Sequence, residues 1–203
     1  MAKLLVISIA VAVLVGCASG PGSVWKAVES QDQFTDEVTK MVTVGEWKNT
    51  SLLVTKSFNY YPFVGMHNGE IYVGLRSGGR HRIPTGTVQI RVDNNKAWTI
   101  GPEETPLFLV PSLPKTPMVA PGMTEQVEQA TAQAMANAAK IMSPYTAATG
   151  DKAKSIIKEM LGGKVVKYRT VGLNQAASTT GEVIIDESFV QSLHQIGIRK
   201  EGL

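Results

Sequence analysis

The chain has 203 residues, 43% of them apolar and 18% charged, with a net charge of +3 and a mean hydropathy of +0.01. That length accommodates one ordinary domain, or one domain with an appendage. The charge balance excludes an acidic or basic disordered chain and argues against a dedicated nucleic-acid binder. A single cysteine excludes an internal disulfide framework and a cysteine-based zinc site.

The amino terminus reads MAKLLVISIAVAVLVGC, with Lys3 before an apolar run from Leu4 to Val15 interrupted only by Ser8. The run is shorter than the about 20 residues needed to span a bilayer, and it has the length of a signal's hydrophobic region. The tetrapeptide Leu14-Val15-Gly16-Cys17 resembles the lipobox of bacterial lipoproteins. The resemblance implies a diacylglyceryl group on the Cys17 thiol and cleavage before it by a type II signal peptidase. Residues 1–16 are then a signal helix and the mature chain runs from Cys17 to Leu203. The competing reading is ordinary cleavage after the small residue Ala18, which would discard Cys17. Two or three acyl chains anchor stably where one is marginal. Ala18, in place of Asp, after the cysteine implies the outer membrane, facing the periplasm. The segment ASGPGS over 18–23 reads as a flexible tether.

Residues 24–100 read as a β-meander, with strands expected near 42–47, 51–58, 60–66, 70–76, 86–93 and 97–100. Ile71, Val73 and Leu75 share one face, as do Val88, Ile90 and Val92, while Gln89 and Arg91 point the other way. Asn68-Gly69 is a strong hairpin signal, and Asp93-Asn94-Asn95 a second. Trp47, Tyr60, Tyr72 and Trp98 are candidates for the core or its rim. Tyr60-Tyr61-Pro62-Phe63 either stacks on sugar rings or packs inside. The segment from Arg76 to Arg82 is the chain's basic concentration, and Arg76, Arg80, His81 and Arg82 form a candidate anion-binding set. A solvated hairpin tip explains the same residues.

Six of the ten prolines fall in residues 101–122, which read as an extended connector, with residues 107–110 as a short strand on the body. The adjacent carboxylates Glu103 and Glu104 lie on that connector, where no rigid scaffold for acid–base chemistry is expected. Residues 123–203 read as a helix-rich part packing on the same domain. A helix over 123–142 takes Thr124 as its cap, Glu125 and Glu128 near its start and Lys140 near its end, matching the dipole. Val127, Ala130, Ala134, Ala138 and Ile141 line one stripe, with Met135 beside it. This stripe either covers the sheet or docks a partner. A second helix near 151–161 starts at Asp151, points Ala153, Ile156, Ile157 and Met160 inward, and stops at Gly162-Gly163. Strands at 164–170 and 180–186 and a closing helix at 187–195 complete the chain.

The expected architecture is therefore α+β: mainly antiparallel sheet or sandwich, with two or three covering helices, after an N-terminal signal helix. The order of elements, and stretches such as GTVQIRVDNN, are similar to small periplasmic β-sandwich proteins of the invasion-associated type. No functional residue is carried over from that resemblance. The catalytic motifs GxSxG, HExxH, Walker A and GxGxxG do not occur, and His67, His81 and His194 lie far apart in the chain. The expectation is a non-catalytic binding or adaptor lipoprotein of the bacterial envelope, with no cofactor beyond the covalent lipid on Cys17. Its partners would be the membrane, through that lipid, and another envelope protein or an anionic envelope component, with no nucleic acid. The alternatives are an envelope hydrolase or glycan-processing enzyme with a dispersed site, and a surface exclusion lipoprotein of a mobile element.

Overall fold

Alternation of period two and tight turns build most of the body. The computed structural model describes residues 25–31, 38–45, 59–79, 82–110, 125–172 and 177–203. Cys17, the expected strand at 51–58, Trp47, Thr124, Arg80 and His81 lie outside these residues. In chain order the strands are β1 (Lys26–Gln31), β2 (Val38–Thr43), β3 (Tyr60–His67), β4 (Glu70–Ser77), β5 (Thr87–Val92) and β6 (Trp98–Ile100). Then come α1 (Glu125–Ile141), β7 (Tyr145–Thr149), α2 (Gly150–Gly162), β8 (Val165–Val171), β9 (Ala177–Ile184) and α3 (Glu187–Gln195). Two antiparallel sheets result, ordered β1-β2-β3-β4-β7 and β6-β5-β8-β9. The fold is α+β and dominated by sheet.

The expected single meander is divided. The chain leaves the first sheet after β4 and enters the second at β5, and β7 returns to pair with β4. Asn68 and Gly69 close the β3–β4 hairpin with φ of 49° and 82°, the pair of positive values a type I′ turn requires. Asp93, also at φ 49°, ends β5, and its carboxylate accepts the N–H groups of Lys164 and Val165 at 2.9–3.2 Å, which fixes the start of β8.

Both sheets and two helices share one core. Val42, Val64, Val73 and Leu75 of the first sheet meet Val88, Ile90, Val92 and Val166 of the second, with Ile156, Ile157 and Met160 of α2 and Phe189 and Leu193 of α3. Each fully buried aliphatic side chain contributes roughly 1.5–3 kcal/mol. The inward stripe of α2 is the expected one, although Thr149, not Asp151, occupies the cap position. A second cluster of Met41, Phe63, Tyr72, Leu109 and Ala147 lies on the opposite face of the first sheet. Phe63 meets Tyr72 and Tyr145 edge-on at 5.9 and 5.8 Å, so the aromatic run of β3 packs inward at this position.

Trp25, just ahead of β1, is the largest buried side chain among the described residues. It sits 4.7 Å from the Phe189 ring, its indole N–H donates to the Ile184 carbonyl at 2.8 Å, and its backbone N–H donates to Ser188 Oγ at 3.0 Å. The point where the amino-terminal segment joins the body is thereby fixed between β9 and α3.

The region 101–110 is ordered against the body and not extended. Pro102–Glu104 and Leu107–Leu109 form 3-10 turns, so the strand expected at 107–110 is absent; each turn is preceded or opened by a proline whose φ suits it. The Glu104 carboxylate accepts Lys152 Nζ at 2.7 and 2.8 Å and the Gly101 N–H at 2.9 Å, which supplies the scaffold not expected there.

Candidate functional site

Helix α1 departs from the other two α-helices among the described residues: none of its residues is buried, whereas α2 and α3 bury an apolar face. Val127 is 47% exposed and Ile141 58% exposed, and Ala130, Ala134, Met135 and Ala138 are exposed too. The helix does not cover a sheet. Its contact with the body is at the carboxyl end, where Lys140 Nζ donates to the Glu103 carbonyl at 2.8 Å. By helical periodicity Lys140 lies roughly opposite the Val127–Ile141 stripe. The half-buried Ala136, Ala139 and Lys140 therefore face the body, and the stripe faces away.

The stripe has a defined shape. Gln126, Val127, Ala130, Thr131, Ala134, Met135 and Ala138 line a shallow, predominantly apolar groove along the helix. Val127, Thr131, Ala134, Ala138 and Ile141 recur at alternating spacings of four and three, the pattern of a coiled-coil seam. The middle of that seam is small, which admits a second helix at close range, and its ends are broad. Glu128 flanks the seam without an ion pair among the described residues.

Of the expected anion-binding set, Arg80 and His81 lie outside the described residues, and Arg76 does not sit in a loop. Arg76 is 1% exposed and belongs to β4. Its Nε donates to Thr43 Oγ1 and its terminal nitrogen to the Val44 carbonyl, both at 2.9 Å, and the guanidinium lies 4.9 Å from the centre of the Tyr61 ring. Burial, reinforced by the nearby Arg82 charge and opposed by Tyr61, lowers its pKa to about 10, so it stays protonated at neutral pH. Arg76 is a core residue, a role that a basic residue ending an apolar run does not announce. Arg82 is exposed, donates to the Tyr145 hydroxyl and lies 5.3 Å from the centre of that ring. Arg76→Met keeps the length and loses the donors, leaving the buried Val44 carbonyl without this guanidinium. It should cost about 2–3 kcal/mol, a fall in thermal midpoint of roughly 5–10 °C for a body of this size. An unchanged melting curve would contradict the structural role.

Among the described residues no group of three His, Cys, Asp or Glu side chains could hold a metal ion, and no helix is long and apolar enough to cross a membrane. His67 stacks on Phe108 at 4.1 Å.

A concavity of about 520 Å³ lies on the outer face of the second sheet, where Gln89, Arg91, Lys167, Arg169, Thr180 and Glu182 surround a floor that is largely apolar. Sequence reasoning placed Gln89 and Arg91 outward but missed the assembly, because β5 and β8 meet only through long-range pairing, with Gln89 and Arg169 80 positions apart. No family model, no curated protein and no solved structure matches the chain.

Proposed function

We propose that the protein is a lipid-anchored, non-catalytic adaptor of the bacterial envelope that docks another envelope protein through α1. The observation that supports this most is a 17-residue helix with a continuous apolar seam and no buried residue. Such a seam exposed to water is a surface awaiting a partner, and its small central residues suit a helix. Charge favours a different protein over a second copy. In self-pairing Glu128 would find no cation beside the seam, since Lys140 lies on the far side and is bonded to Glu103. The occupant is therefore an amphipathic helix that brings Lys or Arg opposite Glu128.

The anchor follows from Leu14-Val15-Gly16-Cys17. From Cys17 to Trp25 the chain reaches at most roughly 28 Å, which keeps the body close to the membrane. A Cys17→Ser variant should accumulate as the uncleaved precursor and incorporate no labelled fatty acid. Normal maturation of that variant would overturn the anchor. Affinity capture after envelope crosslinking should recover one reproducible partner with the native chain and lose it with Ala134→Arg. Equal recovery with both would overturn the docking role.

A further inference from the structure

The outer face of the second sheet gathers three cations around one acid. Register places Arg91 of β5 directly across from Lys167 of β8, and Gln89 across from Arg169. Like charges facing each other across a ladder are destabilising unless something between them is negative. Glu182, opposite Lys167 on β9, is the one acid lining the concavity, and it forms no ion pair among the described residues. The arginines are held in place. Arg169 Nε donates to Gln89 Oε1 at 2.7 Å, and Gln89 in turn donates to Thr99 Oγ1 at 2.9 Å. Arg91 donates one N–H to the Asn94 carbonyl at 3.1 Å, and its other donors have no partner among the described residues.

One further feature lies at the same face and another at its β9 edge. Ile184, two residues beyond Glu182 on β9 and so on the same side, is 62% exposed. Its carbonyl accepts the Trp25 indole N–H, so the amino-terminal segment joins the body beside it. Cations and an exposed isoleucine share one surface, and the amino-terminal segment joins the body at the β9 edge of that sheet. We propose that this outer face rests on the membrane, with Arg91, Lys167 and Arg169 holding the phosphate groups of anionic lipids and Ile184 entering the interface. The proposal rests on the lipid-anchor reading, which brings that edge to the bilayer. Basic side chains at an anionic surface act additively at about fivefold in binding per residue, and salt screens them.

The test uses the mature acylated protein with a single spin label at Thr180→Cys, reconstituted in phosphatidylcholine vesicles with or without phosphatidylglycerol. Flotation with the neutral vesicles reads the anchor; collision with a lipid-soluble relaxant reads the face. With phosphatidylglycerol at low salt the label should become accessible to the lipid-soluble relaxant. Access should be lost at high salt and in an Arg91→Gln, Lys167→Gln, Arg169→Gln variant of unchanged circular dichroism. A label equally remote from both vesicles overturns the proposal, as does equal contact in the triple variant. If the chain carries no lipid and fails to float with neutral vesicles, the anchor fails by itself. The face is then read by flotation on anionic vesicles, where a drop of roughly 100-fold in the triple variant supports it. Equal binding overturns it.

Discussion

A Gly74→Ala protein should unfold at a far lower denaturant concentration than the native chain. Gly74 sits in β4, paired on one side with Phe63 and on the other with Ala147. A Cβ there would stand 1.8 Å from the Thr146 carbonyl oxygen and 2.7 Å from the Ala147 Cα, both backbone atoms. Relief would require β7 to leave β4, since β4 is held by β3 on its other edge. β7 leads directly into α2, so the displacement would disturb the helix that fills the common core. A penalty of about 4 kcal/mol or more is expected, against a total stability on the order of 5–15 kcal/mol. Gly69→Ala is the informative contrast. Its Cβ would meet nothing within 4 Å, and only the positive φ of 82° is unfavourable. That variant should fold with a loss of roughly 1 kcal/mol. Denaturant melts of the two variants check the contrast, and a native-like midpoint for Gly74→Ala would contradict the β4–β7 pairing.

Ala134→Arg is the second large effect, and it should fall on binding without touching the fold. Ala134 is exposed and α1 buries none of its residues, so the melting midpoint should stay within about 0.5 kcal/mol of native stability. In a docked complex the same arginine would place a long charged side chain in the narrow centre of the seam. Burying that charge unpaired should weaken docking by on the order of 100-fold. A variant that both unfolds and fails to bind would show that α1 contributes to the body instead.

The short-range pattern of the chain was informative where one side of an element faces water. Phe189 and Leu193 marked α3 with its observed bounds, and Val88, Ile90 and Val92 marked β5. It was less informative where burial is two-sided. Tyr72, Val73, Leu75 and Arg76 of β4 are all buried, so alternation there hides which face meets which layer, and Arg76, at the end of the expected strand, reads as the start of an exposed basic segment when it is core. Strand β1 escaped notice because Ala27 and Val28 are weak apolar signals, and its place comes from pairing with β2. The division of strands between two sheets, and the meeting of Arg91 with Lys167, depend on pairing across distant segments that local periodicity does not encode. The α1 stripe was legible residue by residue. Whether it faced the body was not, because an apolar stripe looks the same before and after a partner covers it.

The adaptor account is tested most directly by photo-crosslinking in the intact envelope. A photoreactive residue at Ala134, in the seam, is compared with one at Gln129, exposed on the other side of the same helix. The account predicts one discrete adduct with a second, different protein from position 134, none from 129, and loss of that adduct when Ala138→Arg is added. Equal adducts from both positions, an adduct containing only a second copy of this chain, or none from position 134 would contradict it.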